Sequence, residues 1–183
     1  MTKLILRKGK ADKRIKQLIS DLRKAIGVRT KRKIIESNKF DIKPYIELAK
    51  SQDIEDFIII SQKKELIVTS LIGNTVYYKI KHFTLIKEVT NTLNPRIYKN
   101  YPLVEFTGFK ENETFIKNFD IKTNFKKIES LERVVQIYKN ENDILFRHYL
   151  IRKNEEGKVN LKEIGPRLTL EWIKTKDGFY NQK

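Results

Sequence analysis

The sequence predicts an α+β fold made of two similar halves, and three observations predict it. Short apolar runs bounded by turn residues outnumber stretches with helical spacing. One strongly amphipathic helix stands near the start, and its polar side is almost entirely basic. Four elements found before residue 94 then recur after it in the same order, so the two halves divide at about residues 1–94 and 95–183 of one domain.

Lys3 to Lys8 is short and β-like, and Gly9 follows it. From Ala11 to Ile26, residues Ile15, Leu18, Ile19, Leu22 and Ile26 recur at the helical spacing and form one apolar stripe. At about 100° per residue, Lys10, Lys13 and Lys24 fall nearly opposite that stripe, with Arg14, Lys16 and Arg23 on its flanks. Gly27 stands where a helix end needs a residue tolerant of positive φ, and Val28 to Lys33 leaves as a basic strand or loop. Pro44 fits the first turn of a second helix, roughly Lys43 to Ser51, with Tyr45, Ile46, Leu48 and Ala49 on its buried side.

Phe57 to Ile60 has the continuous apolar run of a strand buried on both faces. A turn at Gln62 to Glu65 leads to its hairpin partner, Leu66 to Leu71. Gly73-Asn74 makes the next turn, and Thr75 to Leu85 alternates as a third strand with Val76, Tyr78 and Ile80 on one face. Ile86 to Leu93 reads as a helix ending before Pro95, and a looser stretch through Pro102 separates the halves.

In the second half, Leu103 to Phe106 followed by Gly108 echoes Leu4 to Arg7 followed by Gly9. Thr114 to Ile121 answers the second helix. Val134 to Ile137, a turn at Asn140 to Asp143, and Ile144 to Ile151 answer the hairpin. Gly165 to Trp172 and Gly73 to Ile80 both read Gly-x-x-apolar-x-apolar-x-apolar.

The charge is segregated. Residues 1–33 hold thirteen Lys or Arg against Asp12 and Asp21, a net of +11 out of +16 for the whole chain. Residues 34–146 hold seventeen basic residues balanced by sixteen acids, so a general lysine bias does not explain the N-terminal excess. A polyanion is the partner this distribution fits. Lys outnumbers Arg 29 to 10, which favours point-charge contacts to phosphates over bidentate reading of bases. The chain has no cysteine, which excludes disulfides and thiolate metal sites and fits a reducing compartment. No apolar run reaches the roughly eighteen residues of a membrane span, and Leu4-Ile5-Leu6 is too short for a signal peptide.

Four blocks together resemble the Brix-domain ribosome-assembly factors, and within them the Ssf/Peter Pan subfamily. They are Arg7-Lys8-Gly9 leading into Ile15 to Arg23; Phe57 to Ser61 with Phe83 to Val89; Leu145-Phe146-Arg147-His148-Tyr149-Leu150-Ile151; and Leu161 to Glu171 around Gly165-Pro166-Arg167. The similarity runs from about residue 4 to 178. It implies two halves, each like an anticodon-binding α/β module, packed as one Brix domain. It also implies a nuclear, nucleolar protein that binds precursor ribosomal RNA in early large-subunit precursors and supports processing and assembly. Other assembly factors and ribosomal proteins are its expected partners, with no membrane, cofactor or small-molecule substrate. Two alternatives stay open: a Brix factor of the small-subunit precursor, and a protein-interaction adaptor without strong RNA binding. Relatives carry a long insertion before the Gly-Pro-Arg segment, where this chain has only Arg152 to Asn160.

No catalytic or metal constellation is legible. His82 and His148 sit in predicted strands without cysteine or patterned carboxylates nearby, and Lys8-Gly9-Lys10 lacks the spacing of a phosphate-binding loop. Gly165 and Pro166 read as structural, while Arg167 either pairs with a local carboxylate or leans on a phosphate. Arg147, charged in an apolar strand, is exposed or partnered. Tyr77 either packs at the sheet edge or stacks on a base, and Trp172 is assigned to the core. The candidate RNA-binding residues are Lys8, Lys10, Lys13, Arg14, Lys16, Arg23, Lys24, Arg29, Lys31, Arg32, Lys33, Arg147 and Arg167.

Overall fold

The computed structural model describes residues 3–27, 36–90, 94–110 and 131–180. Strand β1 (Lys3–Lys8) leads into helix α1 (Lys13–Ile26), whose ends are marked by local chemistry. The Asp12 side chain accepts from the Ile15 N–H at 2.8 Å, and Gly27 at φ 73° closes the helix with its N–H on the Arg23 and Lys24 carbonyls. A Cβ at Gly27 would lie 2.8 Å from the Tyr101 ring, so the close approach as well as the φ requires glycine. Helix α2 (Lys43–Lys50) carries Pro44 in its first turn, as expected.

Strands β2 (Asp56–Ser61), β3 (Glu65–Ser70) and β4 (Thr75–Thr84) follow, then a single turn α3 (Ile86–Val89) and a 3₁₀ turn at Pro95–Lys99. Beyond them come β5 (Leu103–Thr107), β6 (Arg133–Lys139), β7 (Asp143–Lys153), β8 (Val159–Glu163) and β9 (Arg167–Lys176). Among the described residues all nine strands form one sheet in the order β1-β2-β3-β4-β9-β7-β6-β5, with β8 paired to β7. Each half repeats one pattern. An edge strand runs parallel to its neighbour (β1 on β2, β5 on β6), an antiparallel hairpin follows, and the last strand closes the half. The halves join where β4 meets β9, antiparallel.

One face of the sheet is centred on α1. Ile15, Leu18, Ile19, Leu22 and Ile26 are buried with Ile58, Ile60, Val68, Tyr78 and Ile80 of the first half and Val135, Ile137, Phe146, Leu168 and Leu170 of the second. The helix therefore bridges the halves rather than belonging to one. On the other face of the first half, Tyr45 and Ala49 of α2 pack with Leu4, Leu6, Phe57, Ile59 and Ile67, and Phe179 and Tyr180 close over them. Strands β1, β2 and β3 are thus apolar on both faces, which is why their sequences show runs rather than alternation.

The expected helix at Ile86 to Leu93 is one turn long, because Thr90 is extended (φ −150°, ψ 136°) and takes only a closing bond to Ile86. Residues 91–93 and the helix expected at Thr114 to Ile121 lie outside the described residues. Strand β8 was not expected. It forms a hairpin with the far end of β7 in which the residues from Arg152 to Lys162 are exposed on both faces, so no apolar pattern announces it. Trp172 is a correction: it is 59% exposed rather than core. Strand β7 pairs with β9 only from Asp143 opposite Glu171 to Phe146 opposite Leu168, so the last five residues of β9 run past the start of β7 and keep β4 as their only strand partner among the described residues.

Candidate nucleic-acid interface

Helix α1 is held by its polar flanks as well as its stripe. The Asp12 N–H donates to Gln62 Oε1 at 2.6 Å, and Gln62 Nε2 donates back to the Asp12 carboxylate at 2.8 Å. That amide bond, with the Ile15 N–H, holds the Asp12 pKa below the usual carboxylate value. At mid-helix the buried Asp21 carboxylate accepts from Gln17 Nε2 at 2.8 Å and from the Ile86 N–H at 2.9 Å, fastening α3 alongside. Arg23 reaches back to the Ile5 carbonyl at 3.1 Å and to Glu36 at 2.6 Å.

The C-terminal end is gripped from the second half. Arg133, 1% exposed, donates from Nη1 to the carbonyls of Lys24 and Ala25 at 3.3 and 3.2 Å and from Nη2 to the Asn100 carbonyl. A guanidinium on the last carbonyls is the favourable charge at that pole of the helix dipole. Its guanidinium carbon lies 5.0 Å from the centre of the Tyr98 ring, and Nη1 sits 3.1 Å from His148 Nε2. Since Arg133 can only donate, His148 accepts at Nε2 and donates from Nδ1 to the Gly165 carbonyl at 2.6 Å. Burial, then the Arg133 charge, push the His148 pKa down to about 3, so the ring is neutral. Sequence reasoning missed Arg133; its signal was a charged residue opening the apolar run Val134-Val135.

With the inner side so fixed, the outer side of α1 and its approach present Lys10, Lys13, Lys16 and Lys24, all exposed. None of these four ammonium groups makes an ion pair among the described residues. Arg14 is exposed beside them but already bridges Glu88 at 3.1 Å and lies over the Phe83 ring at 5.0 Å.

The other candidates part from this surface. Arg23 is occupied internally, as above. Lys8 shares the parity of Leu4 and Leu6, so it points to the opposite face of the sheet, where it lies 5.5 Å from the Tyr180 ring. Arg147 donates to the Phe146 and Leu168 carbonyls at 2.9 and 3.0 Å, bracing the β7–β9 contact. Arg167 makes a bidentate pair with Glu163 at 2.6 and 2.8 Å, which raises its pKa. Arg29, Lys31, Arg32 and Lys33 lie outside the described residues. The four lysines, with Arg14 beside them, thus form a row of positive charge on α1 and its approach, and hydrogen bonds hold that helix at its start, middle and end. No group of three or more His, Asp or Glu able to hold a metal ion occurs among the described residues.

A family model described as Brix domain matches residues 8–174. The "Peter Pan-like protein" of Arabidopsis thaliana is 24% identical over 163 residues, covering 78% of this chain and 47% of that protein. The "Probable ribosome production factor 1" of Drosophila melanogaster is 23% identical over 154 residues, covering 80% of this chain and 39% of its own length. The chain therefore spans half or less of the length of these two curated relatives. A solved structure described as a probable ribosomal biogenesis protein from Aeropyrum pernix K1 superposes with a TM-score of 0.60 over 93% of this chain and 95% of that one, at 13% identity, and so shares the fold.

Proposed function

The chain belongs to the Brix-domain family, and on that premise we propose that it is a ribosome-assembly factor that binds precursor ribosomal RNA through α1. The observation that carries this is the row formed by Lys10 on the approach to α1 and by Lys13, Lys16 and Lys24 on its outer side, without ion pairs among the described residues, beside a core shared by both halves of the sheet. Compact ammonium groups on a rigid rod suit the regularly spaced phosphates of an RNA backbone and carry little base discrimination. In this reading the protein is a non-catalytic scaffold. It acts in the nucleolus, within early large-subunit precursors, beside other assembly factors and ribosomal proteins. The Phe83 to Val89 and Leu145 to Ile151 blocks, with the similarity to the Peter Pan-like protein, support that branch of the family.

Four neutralised phosphates give a slope of log K against log[salt] of about −3 for single strands. Replacing Lys13, Lys16 and Lys24 by Glu lowers RNA affinity at least tenfold and flattens the slope by about 2, while the melting temperature is kept because these side chains are solvent-facing. Unchanged affinity in that variant, or a wild-type slope near zero, refutes the reading. Sequencing the RNA recovered with the tagged protein decides between large- and small-subunit precursors.

A further inference from the structure

We infer that the overhanging end of β9, Trp172 to Lys176, is a contact site for unpaired RNA bases, with Trp172 as the stacking platform and Lys174 and Lys176 holding neighbouring phosphates. The inference rests on the RNA-binding role proposed above and adds a second place of contact with a different preference.

Three features of the overhang lead there. First, Trp172 is 59% exposed although its polar edge is already engaged: the indole Nε1–H donates to Thr175 Oγ1 at 3.3 Å. That bond tethers the ring to its own strand while more than half of the residue stays open to water. A tryptophan in this state gains by stacking, which every base offers. Second, the strand edge beside it is open on the β7 side among the described residues, and Ile173 is the extra residue of a bulge between the pairs Tyr77–Lys174 and Tyr78–Trp172. Trp172 stands opposite Tyr78, a residue of the α1-side core, whereas Lys174 and Lys176 lie over the Tyr77 ring on the other face, at 5.2 and 5.9 Å. A single strand crossing the open edge meets the ring on one side and the two ammonium groups on the other.

Third, the overhang itself is positive, although Glu171 and Asp177 bracket it. Residues 172–176 contain no acid, and neither lysine makes an ion pair among the described residues. The Tyr77 ring holds both ammonium groups by cation–π contact without neutralising their charge. An open edge with exposed Ile173 also fits an added peptide strand, but lysines along an edge oppose strand addition, and the chain's net charge of +16 favours RNA.

Trp172 is the only tryptophan in the chain, so its intrinsic fluorescence reports on this site alone. The full chain is titrated with a single-stranded RNA of about ten nucleotides and with a duplex of equal length. The single strand is expected to quench the tryptophan strongly, and the duplex to bind through α1 with little quenching. Trp172→Ala lowers single-strand affinity about tenfold or more and leaves duplex affinity and the melting temperature unchanged, while Trp172→Phe restores part of the loss. Lys174→Glu with Lys176→Glu weakens single-strand binding and flattens its salt slope by about 1. Single-strand binding without quenching, or unaltered in Trp172→Ala, overturns the inference and leaves the α1 reading standing. Quenching by an extended peptide but not by RNA also overturns it. Absence of binding to either RNA overturns both.

Discussion

His148 keeps a neutral imidazole between a guanidinium and a carbonyl, and this ties the stability of the fold to pH. Its pKa is about 3 in the folded protein and 6.5 when unperturbed, so between those values the unfolded chain binds a proton that the folded one refuses. The stabilisation is complete above pH 6.5 and is lost as the pH falls toward 3. Near pH 4 the loss is on the order of a few kcal/mol. Urea unfolding of the wild type and of His148→Gln at neutral and acid pH checks this: the variant should lose less stability on acidification. That His148 lies in a strand, with no cysteine or patterned carboxylates around it, was legible in the sequence. Arg133 was not, because its partners, Lys24, Ala25 and Asn100, are remote in sequence and its carbonyl acceptors carry no side-chain signature. Trp172 follows the alternation of its strand, and alternation cannot show where the neighbouring strand begins.

At the scale of elements, α1 was the most legible because one period specifies both its faces. Leu18→Ala should cost about 2–5 kcal/mol, since the side chain is fully buried in the core shared by both halves. Asp12→Ala should cost about 1 kcal/mol through the lost cap. Chemical denaturation measures both, and a cost near zero for Leu18→Ala would mean the helix is not docked. Parity separated Lys8 from the helix lysines: in an extended strand it follows Leu4 and Leu6 to the far side, although it is close to Lys10 in sequence. The β7–β8 hairpin gave no signal, because exposed residues need no apolar period to hold their places.

For the whole molecule, the order of recurring elements points to two halves, but not to how they meet. Strand alternation records which face of a strand is buried and says nothing of its lateral neighbour, so the β4–β9 pairing is not written in either segment. Helix α1 crosses that seam, with core contacts on both sides and Arg133 gripping its end. The halves are therefore expected to unfold in one step. Trp172 fluorescence and far-ultraviolet circular dichroism should give coincident melting curves, and Leu18→Ala should shift both together. Two separated transitions would show the halves to be independent.

The seam has a further consequence. Strands β4 and β9 hold equivalent places in the repeat and run antiparallel, so the junction relates like to like by an approximate half-turn. Severed from its companion, the first half would bare the flank of β4, ten residues long, with its peptide groups unmatched. The replacement that geometry offers is a second molecule of the same fragment, laid β4 to β4, and a symmetric pair held by that zipper would recreate from two identical pieces what the chain builds from two divergent ones.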